Sequence, residues 1–126
     1  MDITLHSAWI PGAIGDIAAL HARTYAASHG FGAYFEAKVA RELGDFLLRF
    51  DAERDLFRCA AQDGRVLGSI ALDCGEDPAS AHLRWFILDP ALRGQGLGRR
   101  WLAEAVDQAR HLGLPEIYLW TLAGLD

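Results

Sequence analysis

Between an apolar run, Leu83 to Leu88, and a helical pattern opening at Leu97, the chain reads Arg93-Gly94-Gln95-Gly96-Leu97-Gly98. Three alternating glycines at a strand-to-helix junction leave backbone N–H groups uncovered, and the positive end of the helix dipole adds to them. A plain connection does not need three glycines, so the segment reads as an anion cradle, most simply for phosphate. Its surroundings agree. Residues 84–100 hold four arginines and a single acid, Asp89, whereas residues 1–80 carry seven Lys/Arg against twelve Asp/Glu. A confined basic site in an acidic chain suits a compact anion better than a nucleic acid, which asks for a broad basic face. Rival phosphate loops fit worse: no Gly-Lys-Ser/Thr ending is present, and the spacing is G-x-G-x-G rather than G-x-G-x-x-G.

The 126 residues suit a single domain, 1–126, with one core. Apolar stretches reach about eight residues, far short of the ~20 that span a bilayer, so no membrane association is expected. Cys59 and Cys74 match no metal-ligand spacing, and no metal is expected. With no basic N-terminal segment leading into an apolar core, the expected location is cytoplasmic.

Hydrophobic periodicity predicts a short strand at Ile3–His6, a helix from Ala13 to Ser28, and a second helix from Tyr34 to Phe50. The second helix carries Phe35, Val39, Leu43, Phe46, Leu47 and Phe50 at spacings of three and four. Phe57–Gln62 and Val66–Asp73 read as a hairpin turned at Asp63-Gly64. Ala81–Leu88 shows little alternation and reads as a strand covered on both faces, ended by Pro90. A third helix spans Leu97 to Leu112, and Glu116–Thr121 forms a last strand. The order β-α-α-β-β-β-α-β places the chain in the α/β (α+β) class with a mixed central sheet. The last strand, joined through a helix, should lie parallel beside residues 81–88. Its outer edge would then lack a partner from this sequence, and a second copy covering it, as a homodimer, is the expected assembly.

Arg93, Gly96 and Gly98, within the stretch Leu88 to Arg99, meet the (Arg/Gln)-x-x-Gly-x-(Gly/Ala) signature of the GCN5-related N-acetyltransferase (GNAT) family, which the chain resembles over essentially its whole length. Phe35-Glu36-Ala37 and Leu119-Trp120-Thr121 look like the acetyltransferase domains fused to MarR-type regulators, although no winged-helix segment is present. The resemblance implies an acetyl-CoA-dependent N-acetyltransferase acting on an amine of a small molecule or protein. It implies that Gly94, Gln95, Gly96, Leu97, Gly98 and Arg99 hold the pyrophosphate of acetyl-CoA, with Arg93 fixing the loop or meeting a phosphate. Main-chain groups of Phe86, Ile87 and Leu88 would contact the pantetheine arm where the fourth and fifth strands splay. A backbone N–H there would polarise the acetyl carbonyl.

An acceptor amine of pKa ~10.4 must lose a proton to react. Many GNAT enzymes place a Glu on the fourth strand for this. Residues 81–88 hold none, which leaves His82, Glu36 and His21 as bases, with Tyr25, His29 and Phe31 as acceptor-pocket residues. In the family a Tyr on a fourth helix protonates the leaving thiolate. The sequence stops at Gly124-Leu125-Asp126, where that helix would open, and Tyr118 is not its match. Against the family pattern the chain therefore reads as shortened by a helix and two strands. The alternative expectation is a non-catalytic acetyl-CoA-binding module or a truncated remnant.

Overall fold

A computed structural model of the chain describes residues 2–75 and 80–114 and the backbone of 116–119. Its elements are β1 (Thr4–His6), α1 (Ala13–His29), α2 (Ala33–Leu48), β2 (Leu56–Gln62), β3 (Arg65–Asp73), β4 (Ser80–Leu88), α3 (Leu97–His111) and β5 (Glu116–Leu119). A single 3₁₀ turn, Pro90–Leu92, follows β4. The order is the one expected from periodicity. The five strands form one sheet in sequence order, antiparallel from β1 to β4, with β5 parallel to β4 as a helical crossover requires.

The helices cover the two faces of the sheet separately, because strand side chains alternate. On one face Ile17 of α1 and Leu43 and Phe46 of α2 pack on Phe57, Cys59, Val66, Ala71 and Trp85. On the other, Trp101, Ala105 and Ala109 of α3 pack on Leu56, Ala60, Ile70, Leu72 and Leu83. The β2–β3 hairpin turns where both central residues take positive φ, Asp63 at 53° and Gly64 at 79°, the primed-turn geometry that an Asp-Gly pair favours.

β4 departs from expectation. Along it, buried and half-buried residues alternate, and His82, Arg84, Phe86 and Leu88 are half-buried. Among the described residues, β5 pairs with Ser80, Ala81, His82 and Leu83. Among the described residues, the half of β4 beyond Leu83 has no strand on that side. No helix of the described residues is long and apolar enough to cross a membrane.

Candidate functional site

The register of β3 and β4 slips by one residue. Ala71 faces Arg84 and Ser69 faces Ile87, so Trp85 and Phe86 stand opposite Ile70 alone. Two residues against one is a β-bulge. Trp85 sits at φ 48°, a left-handed conformation that costs a bulky residue about 1–3 kcal/mol unless its surroundings enforce it. The slip turns Arg84 and Trp85 to the same face, toward α2, and returns Phe86 and Leu88 to the α3 face.

Several contacts enforce this geometry. The Trp85 ring packs against Phe46 with centroids 5.5 Å apart. The Ser69 hydroxyl, fully buried, donates to the Trp85 carbonyl at 2.7 Å. Arg84 is gripped by Glu42 of α2 and by Asp73 of β3. Asp73 also accepts a two-pronged pair of bonds from Arg49, at 3.0 and 2.9 Å. Burial alone would raise the Asp73 carboxyl, but the two guanidiniums outweigh it and hold it below its ordinary value. The sheet is thus tied to α2 just past the described pairing of β4 with β5.

From Leu88 the chain turns at once into the glycine segment. The Asp89 carboxylate accepts from Ala91 N at 2.9 Å and organises the turn. Arg93, Gly94, Gln95 and Gly96 are exposed. Gly96 is the N-cap of α3 with φ 77°, where a side chain would be strained, and no side chain caps this helix. Arg100 is the first α3 residue whose N–H finds a backbone acceptor, Gly96 O at 3.0 Å, so those of Leu97, Gly98 and Arg99 point outward from the helix end. The first turn of α3 holds no acid. It holds Arg99 and Arg100 instead, cations that the positive end of a helix disfavours unless an anion sits there. A Cβ on Gly98 would lie 3.3 Å from Leu88 Cδ1 and 3.4 Å from Phe86 Cζ, so the helix start rests directly on Phe86 and Leu88 of β4.

The expected proton acceptors scatter. His82 lies in the paired part of β4, in register with Asp73 on one side and Tyr118 on the other. Glu36 is exposed in the first turn of α2. His21 is buried in α1 and its Nδ1 bonds to Ile17 O at 2.8 Å, and burial pushes its pKa down despite that bond. It serves helix packing. Tyr25, His29, Phe31 and Phe35 form a chain of rings around the α1–α2 joint, with neighbouring centroids 5.1–6.4 Å apart. Burial raises the Tyr25 hydroxyl, and the charge of Arg93 partly lowers it. Among the described residues no group of three or more His, Cys, Asp or Glu is arranged to hold a metal ion.

Sequence reasoning singled out the glycine segment that opens α3, but it passed over Ser69, Arg84 and Trp85. No local signal marks them, and the break shows only in the packing. Ala81 and Leu83 face α3 together with Phe86 and Leu88, a set that no unbroken two-residue period contains.

Comparison with known proteins agrees with this anatomy. A family model described as acetyltransferase (GNAT) family matches residues 14–125. An uncharacterized N-acetyltransferase of Methanocaldococcus jannaschii is 29% identical over 103 residues, which is 76% of this chain and 45% of that protein. The chain thus spans less than half the length of that curated relative. An acetyltransferase of Streptococcus agalactiae superposes with a TM-score of 0.72 at 21% identity, covering 97% of this chain and 74% of the other. One of Clostridium acetobutylicum, solved with acetyl-CoA, superposes at 0.67 and 14% identity, covering 97% and 82%. These likenesses establish the shared fold, and the match of the family model over almost the full length establishes descent: the chain belongs to the acetyltransferase (GNAT) family.

Proposed function

We propose that the chain is an acetyl-CoA-dependent N-acetyltransferase, acting as one domain over residues 1–126. The observation that carries this reading is the continuity of two features. The strand edge Arg84–Leu88, which among the described residues has no partner on the β5 side, leads through one 3₁₀ turn to an uncapped helix start with no acid and two arginines. The donor set fits a pyrophosphate: backbone N–H groups from Gly94 to Arg99, with Arg93 and Arg99 as charged partners. The edge of Phe86, Ile87 and Leu88 offers main-chain groups to an extended amide-bearing arm, as an added strand does. When bound, acetyl-CoA supplies the activated acyl group.

The remaining work falls to the chain's side chains. An amine acceptor must be deprotonated, and His82 or Glu36 takes that proton, directly or through water. The ring chain from Tyr25 to Phe35 lines the acceptor side. Of the ordinary family members, the acetyltransferase domains fused to MarR-type regulators are the proposed nearest kin, on Phe35-Glu36-Ala37 and residues 119–121. A second copy covering β5 is the proposed assembly, and the cytoplasm the proposed location.

The test is a calorimetric titration with acetyl-CoA followed by a thiol-release assay over a panel of amines. Micromolar binding and acceptor-dependent thiol release support the reading. No binding at millimolar acetyl-CoA overturns it. Binding without release from any amine favours a binding module instead. Loss of release in His82→Ala or Glu36→Gln, with binding kept, identifies the base.

A further inference from the structure

Ser69 has no role in the reading above, yet its placement is specific. It is fully buried, and its hydroxyl makes one bond, to the carbonyl of Trp85 in the bulge, at 2.7 Å. The chain holds no cis peptide among its described residues. In a trans peptide unit the C=O and the following N–H point in opposite directions. A Trp85 carbonyl drawn toward Ser69 on β3 therefore sends the Phe86 N–H away from β3, to the side where, among the described residues, no strand pairs beyond Leu83. The bulge gives Trp85 and Phe86 no facing pair on β3, so the Ser69 hydroxyl anchors the carbonyl of this peptide, and without it the unit is held only through the packing of Trp85 and Arg84. A crankshaft rotation of the 85–86 unit would then turn the N–H back into the sheet.

We propose that Ser69 is a positioning residue. Its hydroxyl fixes the Trp85–Phe86 peptide so that the Phe86 N–H meets the carbonyl oxygen of an acyl group carried along β4. This rests on the acyl-transfer reading, which already gives a strand N–H to the thioester carbonyl, and adds to it the side chain that aims that N–H. In the transfer the amine nitrogen forms the new C–N bond and loses its proton to a base. The C–S bond breaks, its electron pair staying on sulfur, and negative charge builds transiently on the carbonyl oxygen. A fixed donor aimed at that oxygen acts where charge develops. Loss of such a donor typically slows catalysis 10²–10³-fold, and its misalignment by less.

The experiment uses acetyl-CoA labelled with ¹³C at the carbonyl and needs no acceptor. Bound to the natural chain, the labelled carbonyl should absorb at lower wavenumber than in water. In Ser69→Ala that shift should be largely lost while the affinity for CoA, which lacks the acetyl group, stays within about twofold. Ser69→Thr, which keeps a hydroxyl, should retain the shift. With an acceptor in hand, Ser69→Ala should lower kcat about 10- to 100-fold with KM for acetyl-CoA nearly unchanged. Equal carbonyl frequencies in the natural and Ser69→Ala chains, both loaded, overturn the proposal and leave the acyl-transfer reading intact. Failure of the natural chain to bind acetyl-CoA removes both. Should Ser69→Ala not fold, the amide signal of Phe86 in the natural chain decides. It should move strongly with acetyl-CoA and little with CoA, and an equal response to the two overturns the proposal.

Discussion

The Arg84 guanidinium lies over the ring of Trp85, 4.2 Å from its centroid. Adjacent residues of a regular strand face opposite sides of the sheet and cannot touch in this way. The contact exists because the bulge turns both toward α2, where Glu42 and Asp73 hold the guanidinium. Arg84→Met should therefore loosen the bulge as well as remove a charge. Asp73 keeps Arg49, so the expected loss is about 1–3 kcal/mol, the range for a buried polar group deprived of one partner. A drop of roughly 3–10 °C in Tm would register it. A variant as stable as the natural chain would mean that packing of Trp85 on Phe46 is sufficient.

The helix start gives a prediction about binding. Gly98→Val places new carbons against Leu88 and Phe86, already at 3.3 and 3.4 Å from a bare Cβ, and over the outward N–H groups. Acetyl-CoA affinity should fall at least about tenfold, well beyond any change in Tm. Arg99→Gln should weaken binding less and flatten its dependence on salt, since screening acts on exposed charges. Calorimetry at two salt concentrations reads both effects.

Stability should fall in acid in two stages. The His21 pKa lies below 6.5 in the fold, chiefly through burial, with the bond to Ile17 O acting the other way. The neutral ring is thus the favoured folded form. Its contribution is whole above pH ~6.5 and drains as pH falls through the folded value. Burial would raise Asp73, but Arg49 and Arg84 lower it below 3.8, so its contribution is whole above pH ~4 and is lost beneath that. Denaturant midpoints measured from pH 8 to 3 should show both limbs. His21→Gln should remove the upper one and Asp73→Asn the lower.

Both cysteines should resist alkylation. Burial pushes the Cys59 and Cys74 thiols up to about 11, with Asp55 adding to the effect at Cys74. The thiolate is the reactive form. At pH 8 a thiol reagent should label neither in the native chain over the time that labels both in denaturant. Rapid native labelling of Cys74 would show that the region around Gly75 opens.

How much of this was legible in sequence depended on whether the cause was local. The Asp63-Gly64 turn and the glycine segment could be read because backbone conformation there demands those residues. The helices could be read from their periods, with a margin at α2, which ends at Leu48 rather than Phe50 once Arg49 becomes its cap. The bulge could not, because it depends on Ser69, Phe46 and Glu42 reaching Trp85 and Arg84 from other elements. The ring chain was read only in part: Tyr25, His29 and Phe31 stood out near one another, while Phe35 joins them through the α1–α2 joint.

The seat of Gly98 on Leu88 and Phe86 sets the proposed phosphate cradle against the strand that leads to it. The span between the proposed sites of charge recognition and bond exchange is then set by the fold, like two marks on a ruler. A donor bound as proposed is gauged by its length. Acyl groups on shorter carriers reach one mark or the other, and a carrier of the full pantetheine length reaches both.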